Sequence, residues 1–158
     1  MKNLIILFVL FIGFSLAGCS QKNVPESVKK DFVQKFAGAK SVRWDSEKEN
    51  EWEAEFKMNG KEMTATYDGT GKWLETEAEI DIKDLPAPVA NTLKSEFQGF
   101  KTDEVTTVEN AEMKGFEFAL NNKETKLTVV IGADGTVLKK ETTKEENEKK
   151  ENEEGAKK

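Results

Sequence analysis

The sequence predicts an α+β fold of two tandem repeats, each a helix followed by a four-stranded antiparallel sheet. Three observations carry that expectation. Glu51 to Met58 alternates charged and apolar residues without a break, so a period of two sets Trp52, Ala54, Phe56 and Met58 on one strand face and Glu51, Glu53, Glu55 and Lys57 on the other. Asn59-Gly60 follows at once, a strong hairpin signal. The same succession of apolar helix stripe, glycine and alternating strand returns about sixty residues later, with Phe116 to Leu120 as the milder counterpart of the alternating strand.

In the first repeat, Pro25 opens a helix, because a proline at the start loses only an N–H that would be orphaned there. Val28, Phe32 and Phe36 recur every four residues as one apolar stripe, and Gly38 ends the helix. Val42 and Trp44 mark a first strand, Asp45 to Asn50 a charged turn, and Glu51 to Met58 the second strand. Met63, Ala65 and Tyr67 continue the apolar face in a third strand, and Asp68-Gly69-Thr70-Gly71 turns the chain again.

The fourth strand, Lys72 to Ile80, poses a question of parity. If Trp73 faced the core, Glu75, Glu77 and Glu79 would follow it there, and burying three unpaired carboxylates is prohibitive. The other parity buries Leu74, Thr76, Ala78 and Ile80 and leaves Trp73 on the open face beside Glu75 and Glu77, unless a bulge after Trp73 changes the phase.

In the second repeat, Leu85-Pro86-Ala87-Pro88 opens a helix whose Val89, Leu93 and Phe97 match Val28, Phe32 and Phe36, and Gly99 matches Gly38. Phe116, Leu120, Ile131, Gly135, Val137 and Leu138 then match Trp52, Phe56, Tyr67, Gly71, Trp73 and Leu74, with the offset grown by about three through one insertion in the first strand or its turn. A unit of about sixty residues is marginal alone, so the two sheets are expected to associate side by side or to pack closely.

The termini read differently. Leu4 to Phe14 is apolar apart from Gly13, too short to span a bilayer comfortably, and follows Lys2 as the core of a signal peptide does. Leu16-Ala17-Gly18-Cys19 resembles the lipobox of bacterial lipoproteins, which implies cleavage between Gly18 and Cys19, acylation of Cys19 and a lipid anchor in the membrane. The alternative is an ordinary secretory signal with an incidental cysteine. Beyond Leu138 no large apolar residue remains and the chain becomes Lys, Glu, Thr and Asn, so Thr143 to Lys158 is expected to be disordered, with a docking tail as the functional alternative. The domain plan is therefore a signal peptide over 1–18, a tether over 19–23, repeats over 24–84 and 85–141, and a charged tail over 142–158.

Composition narrows the function. The chain has 158 residues and a net charge of −6, which argues against a nucleic-acid partner. It contains no histidine and a single cysteine, which excludes disulfides, Cys/His zinc sites, Ser-His-Asp triads and Cys-His dyads. The Asp68 to Gly71 loop lacks the oxygen ligands of a calcium loop and the lysine of a phosphate loop, so it reads as a hairpin turn and no metal or cofactor is expected. Glu53, Glu55, Glu75 and Glu77 are numerous enough for a glycosidase-type acid/base pair, but nothing in the sequence suggests a pocket that raises one pKa, so they read as solvated and the chain as no enzyme. Trp44 and Trp52 are assigned to the core, whereas Trp73 either stacks on an apolar or cationic partner group or packs within the protein.

Trp44, Trp52-Glu53-Ala54-Glu55-Phe56, Asn59-Gly60-Lys61-Glu62, Gly71-Lys72-Trp73-Leu74-Glu75-Thr76-Glu77 and Leu85-Pro86, in that order, resemble the PepSY-like, β-lactamase-inhibitor-like family of exported Bacteroidetes proteins. The resemblance spans about Val24 to Lys140 and implies a tandem α+β fold like the β-lactamase inhibitor protein, whose sheets form a concave polar surface that grips an enzyme loop. PepSY modules are likewise associated with restraining peptidases. Two functions follow as expectations: a lipid-anchored envelope module that holds a protein or peptide through Trp73, Glu75, Glu77, Glu53 and Glu55, restraining an enzyme, or a structural or envelope-stress lipoprotein with no specific ligand. In lipoproteins of this bacterial group, surface display is associated with an acidic run after the cysteine, and Ser20 to Asn23 has none, which places the anchor in the outer membrane facing the periplasm.

Overall fold

The computed structural model describes residues 24–123 and 125–143. The signal peptide, Cys19, the tether and most of the charged tail lie outside the described residues. The elements run α1 (Glu26–Lys35), β1 (Lys40–Lys48), β2 (Glu51–Met58), β3 (Lys61–Asp68), β4 (Trp73–Glu79), a 3₁₀ turn (Ile82–Asp84), α2 (Ala87–Glu96), β5 (Lys101–Asn110), β6 (Lys114–Asn121), β7 (Lys126–Ile131) and β8 (Val137–Thr143).

Local chemistry sets the boundaries. Pro25 and Pro86 stand at the N-caps, and the Phe36 and Phe97 N–H groups close the last turns onto the carbonyls of Phe32 and Leu93. Asn59 and Gly60 both adopt positive φ, the requirement of the tight primed turn that the Asn-Gly pair signals. Asp68 Oδ1 accepts the Thr70 N–H at 2.9 Å, the Thr70 hydroxyl at 2.6 Å and the Lys72 N–H at 3.1 Å, so this loop is an Asx-type turn. Gly71 (φ +97°) meets α1 there: a Cβ would lie 2.5 Å from an Asp31 carboxylate oxygen and 3.0 Å from the Ser27 carbonyl.

The eight strands form one antiparallel sheet in the order β1 to β8, rather than two sheets in contact. Its centre is the β4–β5 ladder, which pairs Glu75 with Asn110, Glu77 with Val108 and Glu79 with Thr106. Partners across a ladder share a face, so Met63, Ala78, Thr107, Phe116 and Ile131 line the same side. Both helices pack on that side. Under α1, Phe32 is the hub of an aromatic cluster, with ring centroids 5.0 Å from Phe56, 5.2 Å from Trp44 and 5.4 Å from Phe36. Under α2, Val89 and Phe97 bury against Phe118, Leu120, Leu127, Val129 and Ile131.

Three expectations are corrected. The charged turn is shorter than Asp45 to Asn50, because β1 continues to Lys48 and pairs Asp45 with Glu53 and Lys48 with Glu51. The last strand runs to Thr143 through Leu127–Thr142 and Lys126–Thr143 pairs, two residues into the expected tail. The parity of β4 is resolved by a bulge: Tyr67 pairs with Trp73 and Thr66 with Glu75, leaving Leu74 as the extra residue. Trp73 therefore joins the α1 core, its indole N–H donating to the Thr76 hydroxyl at 2.8 Å and its ring 3.7 Å from the Lys35 ammonium. Thr76 and Ala78 keep the helix face as expected, and Ile80 lies beyond the strand.

The shared central ladder makes each half depend on the other. Residues 24–84 expressed alone should lack the cooperative thermal transition of the whole chain, because β4 becomes an exposed acidic edge; circular dichroism melting of that fragment beside the intact protein tests this.

Candidate functional site

The helix-free side of the sheet carries the acidic residues. Cross-strand partners order them into three rows: Asp45, Glu53, Thr66, Glu75, Asn110; Arg43, Glu55, Thr64, Glu77, Val108, Gly115; and Glu79, Thr106, Glu117, Val130, Lys139. Neither helix of the described residues covers this side, yet Val108, Val130 and Glu117 are only 2%, 1% and 4% exposed. The twist of a long sheet draws one face inward. A hollow of about 300 Å³ lies there, lined by Arg43, Glu55, Thr64, Glu77, Glu104 and Thr106 among others.

Charge balance across this face is incomplete. Arg43 Nε donates to Glu55 at 3.0 Å, Lys57 pairs with Glu62 at 2.7 Å and Lys139 with Glu141 at 3.0 Å. Glu75 accepts the Asn110 amide at 2.8 Å. Glu77 and Glu117 have neither a hydrogen bond nor an ion pair among the described residues. Burial pushes the Glu77 carboxyl up to about 8, reinforced by the charges of Glu117, Glu75, Glu53 and Glu104. Burial pushes Glu117 up to about 7, with Glu75 adding to the shift and Lys139 opposing it. Burial also raises Glu75, against the Asn110 hydrogen bond and Lys139, and raises Glu104 with help from Glu79. The expectation that no pocket raises a glutamate pKa is thus corrected. It failed because the burial comes from strands of both halves. Among the described residues, no group of three or more His, Cys, Asp or Glu is spaced to hold a metal ion.

This architecture has known counterparts. Residues 50–139 match the model of the family described as "Putative beta-lactamase-inhibitor-like, PepSY-like". The chain belongs to that family. A BLIP-like protein from Bacteroides fragilis superposes on this PepSY-like chain with a TM-score of 0.71 at 18% identity, over 82% of this chain and 93% of that one. A DUF2874 family protein from Bacteroides ovatus gives 0.68 at 22% identity, over 77% and 89%. A protein from Bacteroides eggerthii described as a "putative periplasmic" protein gives 0.66 at 21% identity, over 77% and 90%. These likenesses establish the fold. A search of the curated proteins finds no match.

Of the residues singled out in the sequence, the PepSY-like sheet brings Glu53, Glu55, Glu75 and Glu77 together on its helix-free side. Trp73 is not with them; the bulge turns it to the opposite side, under α1. Glu117, Glu104, Thr106 and Lys139 were not singled out, although they complete the same surface. Alternation in Phe116 to Leu120 already turned Glu117 away from the core, and the unbroken run Leu127 to Ile131 has the composition of a strand buried on both sides.

The raised carboxyls make stability pH-dependent with a definite sign. Glu77 and Glu117 ionise in the unfolded chain in the ordinary carboxylate range, but in the folded protein only at about 8 and about 7. Between those limits the folded state holds more protons, so their contribution is present at mildly acid pH and is lost as pH rises towards 8. Glu77→Gln should raise stability near pH 8 by on the order of 2 kcal/mol, with little change near pH 5. Chemical denaturation at the two pH values reads this; equal effects at both would contradict it.

Proposed function

We propose that this PepSY-like chain is a lipid-anchored envelope module that holds a protein or peptide on the helix-free face of its sheet, restraining an enzyme. One observation carries the reading: the uncovered face contains a hollow lined by the half-buried Glu77, with the buried Glu117 beyond it on the same face, and among the described residues neither carboxyl has a hydrogen bond or ion pair. Groups of that kind in a cleft are more often tied to function than to stability. Glu53, Glu55 and Glu75 form the surrounding surface.

Binding suits the arrangement better than proton transfer. A carboxyl that stays protonated at neutral pH meets one requirement of a general acid, but a hydrolytic pair also needs a second carboxylate kept ionised in the same cleft. The carboxylates of the hollow that are held by a cation, Glu55 by Arg43 and Glu62 by Lys57, are already engaged in ion pairs and not free to serve as that second group. The inhibitor-like family description points the same way.

Anchoring rests on the Leu16 to Cys19 lipobox resemblance, with Cys19 acylated after cleavage at Gly18 and the module in the outer membrane facing the periplasm. The periplasmic description of the Bacteroides eggerthii neighbour supports an envelope position. The two halves are read as a tandem duplication over 24–84 and 85–141, with the charged segment from 142 following the second. The equivalent bulges support this, Leu74 opposite Tyr67/Thr66 and Leu138 opposite Ile131/Val130, as do the glycines Gly71 and Gly135 at φ +97° and +90°.

Photo-crosslinking from the helix-free face in native envelopes should yield a protein adduct. Glu75→Ala with Glu77→Ala should lose it while the thermal transition is retained. Unchanged adducts in the variant, or none with the native chain, would contradict the docking reading. Cys19→Ser should release the protein into the soluble fraction and abolish fatty-acid labelling.

A further inference from the structure

We infer that Asn59 is a site of spontaneous covalent modification, converted to aspartate and isoaspartate by attack of the Gly60 backbone nitrogen on its side-chain amide. This stands apart from the docking role proposed above.

Asparagine is a labile residue, but the reaction sets conditions on one dipeptide step. The carboxamide has to be free to swing, the next N–H has to be free of an acceptor, and the next residue must not block the approach, which glycine ensures by lacking a Cβ. The chain has one Asn-Gly step, Asn59-Gly60, and two Asp-Gly steps, Asp68-Gly69 and Asp134-Gly135, with the same backbone freedom in their composition.

The fold separates the three. Asn59 and Gly60 are both exposed at the tip of the β2–β3 hairpin. Among the described residues neither the Asn59 side chain nor the Gly60 N–H makes a hydrogen bond, since the ladder closes one residue further out, at Met58 and Lys61. A Cβ built on Gly60 would meet nothing within 4 Å. The other two steps are engaged. Asp68 Oδ1 accepts from Thr70 and Lys72, and the Gly69 N–H donates to the Asn50 carbonyl at 2.8 Å. Asp134 accepts the Thr136 N–H at 2.9 Å and its hydroxyl at 3.0 Å, and the Gly135 N–H donates to the Gly132 carbonyl at 2.8 Å. A Cβ on Gly69 would collide with the Asn50 side chain, and one on Gly135 would lie 2.9 Å from the Pro88 carbonyl.

The atoms balance without any oxidant or cofactor. The Gly60 nitrogen bonds to Asn59 Cγ and closes a cyclic imide; the bond from Cγ to the amide nitrogen breaks, and ammonia leaves with the proton that Gly60 gives up. Water then opens the imide. Addition at Cγ yields aspartate, and addition at the main-chain carbonyl yields isoaspartate, whose backbone runs through the side-chain carbons. Ring closure draws the Asn59 carbonyl out of the primed turn, so it proceeds from an opened tip. Opening there breaks no side-chain bond, whereas opening at Gly69 or Gly135 breaks the bonds named above.

The product changes the surface. A carboxylate replaces a neutral amide next to the Lys57–Glu62 ion pair, and both of those residues line the hollow. Isoaspartate also lengthens the backbone path at a turn that both residues now close with positive φ, so pairing loosens from the Met58–Lys61 end.

The test is ageing of the purified full chain in mildly alkaline buffer, followed by peptide mapping in a mass spectrometer with isoaspartate identified by methyltransferase labelling. The peptide holding Asn59 should gain about 1 Da and split into aspartate and isoaspartate forms, ahead of every other asparagine. Asp68→Asn and Asp134→Asn each set the same Asn-Gly chemistry in an engaged turn. The substituted position should convert about tenfold or more slowly than Asn59 in the same folded chain, and at a similar rate once the chain is unfolded in urea. Thermal melting checks that each variant is folded, and Asn59→Gly, which keeps the turn, should remove the new species. An unmodified Asn59 after ageing, equal conversion at the engaged turns of the folded variants, or a difference that persists in urea would overturn the inference.

Discussion

The antiparallel ladder between β4 and β5 is the interaction on which the rest of the structure depends. It joins the halves into one sheet, removes an edge from each, and sets α1 and α2 on the same side. The same ladder creates the site. A glutamate on an edge strand is hydrated and ordinary, whereas Glu77 has strands on both flanks and Glu117 two strands away, and its carboxyl is pushed up to about 8. Cohesion of the fold and the electrostatic tension of the hollow thus have one origin.

The second constraint is the phase of β4. Its alternate positions are acidic, and a strict alternation could not bury Trp73 without carrying Glu75 and Glu77 into the α1 core. One extra residue, Leu74, lets Trp73 pair with Tyr67 on the helix side while Glu75 and Glu77 keep the other. In the second half the bulge at Leu138 leaves Val137 against the α2 core and sets Lys139 opposite Val130. That places a cation beside Glu117 and Glu75, where it opposes the upward shift of both.

Much of the fold was legible in sequence because it is written locally. The four-residue spacing of Val28, Phe32 and Phe36, the alternation of Glu51 to Met58, and Asn59-Gly60 are each decided by a few neighbouring residues, and each corresponds to an observed element or turn. Half of the site was legible for the same reason, since alternation alone turns Glu53 and Glu55 away from Phe56. The other half depends on which residue of β5 lies opposite Glu77, a register between segments some thirty residues apart that no local pattern encodes. Trp73 was undecided because a single inserted residue reverses a strand's facing. The true extent of β1 was hidden because Asp45 to Lys48 has turn-like composition but is held in the sheet by pairing to β2.

An open sheet of eight strands has two ends, β1 and β8 among the described residues, and each presents unsatisfied backbone groups to other chains. Both ends are blunted. β1 is charged along its length and irregular at two places, between Lys40 and Arg43, where Ser41 has φ +55°, and between Ser46 and Lys48. β8 begins at a bulge and continues through Lys139, Lys140 and Glu141. A neighbouring copy arriving at either end would meet a kinked, charged rim in place of a flat template, so these irregularities guard the protein against stacking into aggregates of itself.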